Sequence, residues 1–201
     1  FFWDVMPEVV ARVKQAGCLV VHQVGTVEAA QMAEEAGADV IIAQGIEAGG
    51  HVHGRRPAFA LAGDIMARTR LPVVVSGGIA SGQGLADALA MGASGVQCGT
   101  AFLATEESFA HPYHKARVAD ATGEDTVLTT AISGRPARGL RNQLVDLLEP
   151  LDRLRYPEHY SLTRKLRQAA NRESKGEFMA MWSGMGVGQL QDSHPAATVV
   201  Q

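Results

Sequence analysis

The sequence predicts an α/β fold built from consecutive strand–helix–strand units. Short runs rich in β-branched residues alternate with amphipathic stretches, at spacings of roughly 20–35 residues. The runs are continuously apolar rather than alternating, as expected of parallel strands covered on both faces. Two near copies, AGADV at 36–40 and MGASGV at 91–96, each end a helix and enter a strand. They indicate a repeated β/α module.

Four segments have the composition of buried strands. They are Cys18–Val24, Asp39–Gln44, Pro72–Gly78 and Ser94–Thr100. A helix is predicted after the first strand, with Thr26 as its N-cap and Gly37 as its stop. Another is predicted after the third strand, with Ser81 as its N-cap and Gly92 as its stop.

The second half of the chain differs from the first in composition and pattern, so the predicted organisation has three parts. Residues 1–110 form the β/α part, 111–180 a mainly helical appendage, and 181–201 a glycine-rich tail that returns to the β/α part. Within the appendage, three helices are predicted. One further segment is predicted to begin as a strand and continue as a Gly/Pro/Arg loop. In chain order these are His111–Ala121, the strand and loop of Glu124–Asn142, Gln143–Leu154 and Leu162–Asn171.

Bulk composition excludes several classes of protein. Hydrophobic residues make up 46%, charged residues 19%, and the net charge is −3, so no global field attracts nucleic acid or an anionic membrane. No apolar run approaches the roughly 18 residues of a membrane span, and no leader indicates secretion. Cys18 and Cys98 make no disulfide framework, which favours a reduced, cytoplasmic setting.

Polar and glycine-rich residues follow each predicted strand. The segments are HQVG, QGIEAGGH, SGGI and CGT. Because ligands bind at the carboxyl ends of parallel strands in barrels and open sheets alike, these segments predict a binding site there.

Two of these loops have the composition of a phosphate site. Ser76-Gly77-Gly78 and Gly99-Thr100 combine glycines, which let main-chain N–H groups approach an anion, with hydroxyl donors. In the alternative interpretation the glycines only make tight turns. Phosphate binding is favoured because two successive loops share the pattern.

His51 directly follows Gly49 and Gly50. The small residues leave room for a flat ligand, and a partly desolvated imidazole can act as a general base near neutral pH. The alternative is a surface-loop histidine. The position after a strand and behind two glycines favours the functional interpretation.

Other polar residues near the strand ends keep two interpretations each. The amides of Gln23 and Gln44 suit the edge of a heterocycle or bond the loop backbone. Glu47 is an acid or base, or a loop anchor, and Cys98 is expected to be a small filler rather than a nucleophile.

Two pairs of closely spaced histidines have the spacing of metal ligands. His51 and His53 form His-x-His, and His111 and His114 form His-x-x-His at helical spacing. A metallohydrolase barrel would also place carboxylates at strand ends, whereas this chain has glutamine and serine there. We therefore expect no metal, and expect His111 and His114 to be solvated.

Three segments in combination resemble one family. They are AQGIEAGGH, VVVSGGIASGQGLADALAMGASGVQCGTAFLATEES and DTVLTTAISGRPARGLRN. They are similar to the nitronate monooxygenases, formerly 2-nitropropane dioxygenases, with the match running through residues 1–142. The resemblance implies an FMN-dependent (β/α)8 TIM barrel with a helical domain, which oxidises alkyl nitronates with O2.

The resemblance also implies residue roles. His51 matches the catalytic histidine, which removes an α-proton from a nitroalkane or orients a nitronate before electrons pass to FMN and O2. The implied FMN contacts are Gln23, Gln44, Gly49, Gly50, Ser76, Gly77, Gly78, Gln97, Cys98, Gly99 and Thr100.

The chain departs from the family in its length. The four predicted strands correspond to the C-terminal half of the eight-stranded barrel. The segment FFW at residues 1–3 would then be the tail of the barrel strand before them, its fourth. We expect a longer chain, or a homo-oligomer or partner that completes the barrel. Two other functions stay open: an NAD(P)H-dependent enoyl-thioester or quinone reductase of the same superfamily, and a non-catalytic flavin-binding fragment.

Overall fold

The computed structural model describes residues 4–189 and 194–200 and divides the chain into two compact units. The first unit comprises Phe1–Glu47 and Val52–Cys98, and the second comprises Ala48–His51 and Gly99–Gln201. The strand tail predicted at 1–3 lies outside the described residues, and the part boundaries at 110 and 180 stay predictions.

The described elements follow the predicted alternation of strands and helices. The strands are β1 (Val21–Val24), β2 (Val40–Gln44), β3 (Gly50–His51), β4 (Val73–Ser76), β5 (Gly95–Gln97), β6 (Thr126–Thr129) and β7 (Ala137–Leu140). The α-helices are α1 (Pro7–Gln15), α2 (Val27–Glu35), α3 (Ala58–Met66), α4 (Gly82–Ala90), α5 (Pro112–Asp120), α6 (Gln143–Leu148), α7 (Glu158–Leu162), α8 (Arg164–Arg172) and α9 (Ala196–Val200). Across 4–189 and 194–200, no helix is both long and apolar enough to cross a bilayer.

The first unit contains a parallel four-stranded sheet in the order β1-β2-β4-β5. Each strand lies inside one of the four predicted apolar segments. In the register, Ser76 at the end of β4 pairs with Gln44 of β2 and Gln97 of β5. The carboxyl ends of the strands therefore form one common edge, and the predicted α/β class with a parallel sheet is confirmed.

Both helix predictions of the first half are confirmed at their ends. The Ala29 N–H donates to Oγ1 of Thr26, and the Gly84 N–H donates to Oγ of Ser81. After the helices, Gly37 and Gly92 have φ values of +97° and +98°. Only glycine adopts this left-handed conformation without strain, so the chain can turn into the next strand.

The core of the first unit lies between the sheet and its helices. Ile41 and Val75 are fully buried on adjacent strands, and Leu61 and Ile65 of α3 belong to the same cluster. Each fully buried side chain of this size contributes about 1.5–3 kcal/mol.

The four-stranded sheet is strongly curved, as shown by Gln23 and Gln97. They lie on β1 and β5, the two edge strands, which three strand spacings would separate by about 14 Å in a flat sheet. Nevertheless Nε2 of Gln97 donates to Oε1 of Gln23 at 3.0 Å. Only a sheet that curls toward one face lets these side chains meet, which is the curvature of a barrel wall.

The second unit contains an antiparallel sheet in the order β3-β7-β6. The predicted strand-like start at Glu124 corresponds to β6. The loop predicted to follow it is partly wrong, because Ala137–Leu140 forms β7, with all four residues buried. A two-residue strand, β3, pairs with it at Gly50 and His51 and was not predicted.

The histidines of α5 correct another expectation. His111 is the N-cap, and its Nδ1 accepts a hydrogen bond from the Tyr113 N–H. His114 is buried, and its Nε2 lies 3.0 Å from Oγ of Ser183. Burial lowers the pKa of His114 to about 4, with the nearby His111 adding to the effect. The prediction that His114 is solvated is therefore wrong.

Candidate functional site

The loop after β2 is held inside the first unit by its own polar side chains. Oε1 of Gln44 accepts a hydrogen bond from the His53 N–H at 3.1 Å, and Gln44 is buried. Oε2 of Glu47 accepts from the Ala58 N–H at 3.0 Å. A carboxylate at the start of α3 is favourable because the helix N-terminus carries partial positive charge. Of the two interpretations of Glu47, the loop anchor is therefore the observed one.

The turn after β4 depends on its two glycines. Gly77 has a φ of +120° and Gly78 a φ of +73°, both unfavourable for other residues. A methyl group added at Gly78 would also lie 3.1 Å from Cβ of Glu47. Ser76 precedes them and is buried. The glycines thus have a turn-forming role, and phosphate binding by this segment stays a prediction.

The end of β5 presents an amide and a thiol. Gln97 is bonded to Gln23, as described above, while Cys98 packs against the core of the first unit. Burial raises the pKa of the Cys98 thiol. The thiol is therefore protonated at neutral pH, which agrees with a small filler rather than a nucleophile.

His51 lies in the second unit, where its position is set by β3. The pairing of β3 with β7 places His51 opposite Ala137. Its Nε2 lies 2.9 Å from Oγ of Ser133, in the turn between β6 and β7. Ser133 is 1% exposed, so its hydroxyl holds the imidazole from a fixed point.

The hydrogen bonds of Ser133 assign the tautomer of His51. The Ser133 hydroxyl donates to the Arg135 carbonyl at 3.0 Å, and its oxygen accepts from the Arg135 N–H at 3.2 Å. Because a hydroxyl has one hydrogen, all three bonds form only if His51 Nε2 carries the proton and donates. Nδ1 is then the basic atom of the ring.

Aromatic rings surround the imidazole. Tyr156 meets His51 edge-on with ring centroids 5.6 Å apart, and Tyr160 does so at 6.4 Å. Trp182 lies 6.1 Å away at a tilt of 35°. We call His51, Ser133, Tyr156, Tyr160 and Trp182 the His51 cluster. Its rings cover part of the half-buried imidazole and restrict its rotation.

Two arginines lie over the tyrosines of the His51 cluster. The guanidinium carbon of Arg135 is 4.6 Å from the Tyr156 ring centroid, and that of Arg167 is 4.0 Å from the Tyr160 centroid. Burial lowers the pKa of His51, and the positive charge of Arg135 lowers it further. The imidazole is therefore neutral at pH 7, the form that can accept a proton.

The segment Ser183–Gly184 contacts both Gly49 and Thr100. A methyl group at Gly49 would lie 2.5 Å from the Gly184 nitrogen, so main chain approaches main chain there. The Gly184 N–H also donates to Oγ1 of Thr100 at 2.8 Å. Gly49 therefore has a packing role, and ligand contact by Gly49 or Thr100 stays a prediction. Gly50 has a φ of +72°, which favours glycine at the start of β3.

Sequence reasoning missed four members of the His51 cluster. Ser133, Tyr156, Tyr160 and Trp182 come from three separate segments of the second unit. Tyr160 lies on α7 and Tyr156 in the turn before it, so no helical spacing indicated this pair. Within 4–189 and 194–200, no group of three His, Cys, Asp or Glu side chains could hold a metal ion.

Comparisons with known proteins give consistent results. The family model for nitronate monooxygenase matches residues 2–201. A probable nitronate monooxygenase of Bacillus subtilis (strain 168) is 37% identical over 96% of this chain and 58% of its own length. One from Staphylococcus aureus (strain Newman) is 34% identical over 96% of this chain and 57% of its own length.

Solved structures agree with the sequence matches. A nitroalkane oxidase from Streptomyces ansochromogenes has a TM-score of 0.90 and 39% identity, covering 99% of this chain and 59% of its own. FabK from Thermotoga maritima has a TM-score of 0.88 and 32% identity, covering 100% of this chain and 64% of its own.

The shares of the relatives' own lengths show that this chain spans less than two thirds of each of them. Together with the curved parallel sheet, the structural likeness confirms the predicted fold class, part of a β/α barrel. With a family model matching nearly every residue and relatives above 30% identity, the chain belongs to the nitronate monooxygenase family.

Proposed function

We propose that this chain is part of a flavin-dependent oxidoreductase that oxidises alkyl nitronates and nitroalkanes with O2, with His51 as its base. Family membership supports a flavin cofactor, and FMN is the flavin we propose. One observation carries the assignment of the base: the Ser133 hydroxyl fixes the Nε2–H tautomer of a neutral, half-buried imidazole.

The residues of the first unit fit a flavin chemically. The turn after β4 has two glycines with positive φ beside a serine, a composition that suits phosphate. The Gln23–Gln97 pair offers amide donors and acceptors for the edge of a heterocycle. We assign flavin contacts in this unit to Gln23, Gln44, Ser76, Gly77, Gly78, Gln97 and Cys98. Contacts by Gly49, Gly50, Gly99 and Thr100 of the second unit stay predictions.

In this mechanism Nδ1 of His51 accepts the α-proton of a nitroalkane. The electron pair of the broken C–H bond delocalises onto the two nitro oxygens, giving a nitronate anion and an imidazolium cation. Ser133 keeps Nε2 protonated throughout, so the proton moves only at Nδ1. A bound flavin supplies the redox chemistry between the nitronate and O2. A pre-formed nitronate has already lost the proton that His51 removes.

The test is the His51→Asn variant, assayed with a nitroalkane and with its pre-formed nitronate. Nitroalkane turnover is expected to fall on the order of 10²-fold or more, as for loss of a general base, and nitronate turnover much less. Flavin content should match the wild type. His53→Ala is the matched control, because that side chain is exposed in the same loop. Unchanged nitroalkane turnover in His51→Asn would remove His51 from the mechanism.

A second candidate is an NAD(P)H-dependent reductase acting on an enoyl-thioester or quinone, which the likeness to FabK favours. Rapid bleaching of the flavin by NADH under nitrogen, without nitronate turnover, would support it. A third is a non-catalytic flavin-binding fragment that needs a partner chain. Sedimentation combined with flavin reconstitution tests it, since a monomer that binds no flavin by itself would support the fragment.

A further inference from the structure

The turn between β6 and β7 carries a cation into the surroundings of the base. Arg135 bonds Ser133 Oγ through both its main-chain N–H and its carbonyl, at 3.2 and 3.0 Å. Its guanidinium lies over the ring of Tyr156, which in turn meets His51 edge-on. The same short turn therefore fixes the orientation of the base and the position of a positive charge beside it.

A nitronate matches such a cation better than its parent nitroalkane does. A nitronate carries a full negative charge shared by two oxygens on one planar nitrogen. A guanidinium presents its N–H donors in a planar fork that binds paired oxygens with two parallel hydrogen bonds. A neutral nitroalkane has the same two oxygens without net charge, so a cation stabilises it less.

We infer that Arg135 is a specificity-determining residue that directs the His51 cluster to anionic substrates by binding the paired oxygens of a nitronate. The inference rests on the proposed function and extends it to the choice between two forms of the substrate. Arg135 and His51 then have separate roles. Arg135 recognises the charged nitronate, and His51 serves the neutral nitroalkane.

Two tyrosines and two further arginines are the other ionisable groups considered around the imidazole of His51. Tyr156 and Tyr160 face it, and Arg167 lies over Tyr160. On β7, Arg138 pairs opposite Gly50, but its Nη1 donates to Oγ1 of Thr126, on β6. The positive charge of Arg135 lowers the pKa of His51.

The kinetic test compares Arg135→Gln and Arg135→Lys with wild type in the flavin-loaded protein. The ratio of kcat/KM for a nitronate to kcat/KM for its nitroalkane should fall about tenfold or more in Arg135→Gln, because a charge-assisted contact is lost. Arg135→Lys keeps the charge without the planar fork, so its ratio should lie between those of wild type and Arg135→Gln. The matched control is Arg141→Gln, since Arg141 forms an exposed ion pair with Asp146 in the same unit. An unchanged ratio in Arg135→Gln would overturn the inference.

A second readout does not depend on turnover. Nitrate, a planar oxyanion, is titrated while the ring signals of His51 are followed by NMR. Arg135→Gln should weaken nitrate binding about tenfold and raise the pKa of His51, whereas Arg141→Gln should do neither. Equal nitrate affinity and equal His51 pKa in wild type and Arg135→Gln would refute the role. If wild type turns over no nitronate yet binds nitrate through Arg135, the proposed function fails and anion recognition stands.

Discussion

Removing the Ser133 hydroxyl is the sharpest test of how the imidazole of His51, the proposed base, is held. The hydroxyl takes part in three hydrogen bonds, one to His51 and two to the main chain of Arg135, and the residue is fully buried. Each such bond contributes about 0.5–1.5 kcal/mol net. Ser133→Ala should therefore lower the free energy of unfolding by about 2–3 kcal/mol, because the partners lose their bond inside the protein.

The same substitution should change the chemistry of His51. Without the acceptor at Ser133, nothing in this network requires the proton to stay on Nε2. We expect a mixture of tautomers by NMR of the ring nitrogens and a fall in nitroalkane turnover of about tenfold to 10²-fold, as for a misoriented base. Unfolding is followed by chemical denaturation of the flavin-free protein.

Ser161→Ala is the matched control, since Ser161 is exposed on α7. Its effect on stability should stay within about 0.5 kcal/mol. If Ser133→Ala unfolds like the control and keeps a single Nε2–H tautomer, the assignment of the network is wrong. Loss of turnover without a change of tautomer would refute the proposed link between this hydroxyl and the base.

Two further predictions concern packing and pH in the second unit. Gly49→Ala should cost about 1–3 kcal/mol in unfolding experiments, because the new methyl group meets the main-chain nitrogen of Gly184 at 2.5 Å. Gly99→Ala is its control, since a methyl group there meets nothing within 4 Å, and equal stabilities would contradict the packing argument. For His114, the folded-state pKa of about 4 is below the usual 6.5, so the unfolded chain binds more protons between these values. Wild type should therefore lose up to about 3 kcal/mol as pH falls from 6.5 to 4, and His114→Gln should lack this loss; equal pH slopes in denaturant titrations would refute it.

Features predicted correctly from the sequence are those that depend on neighbouring residues. The caps at Thr26 and Ser81 act on N–H groups three residues away, and the glycine stops act on the next turn. The four predicted apolar runs each contain one strand of the parallel sheet. Such signals can be read within a window of about ten residues.

Features that were missed depend on residues far apart in the chain. Ser133 is 82 residues from the histidine it holds, and no local pattern of ISGRP indicates that partner. The strand β7 contains the arginine and glycine of ARGL, which do not read as a buried strand. Its burial comes from pairing with β3 and β6, so only the assembled sheet shows it.

The two glycines before His51 have main-chain roles in the structure, while the predicted ligand contact stays a prediction. Gly49 is small because the main chain of Gly184 passes against it, and Gly50 takes a φ of +72° that starts β3. Both act on the main chain, and together they deliver His51 to the partner strand β7. The basicity of His51 is then set by the turn that carries Ser133 and Arg135, through a hydrogen bond and a charge. It follows that substitutions in residues 133–135 should alter the pKa and tautomer of the base, whereas a change at Gly49 should act through stability and the position of β3.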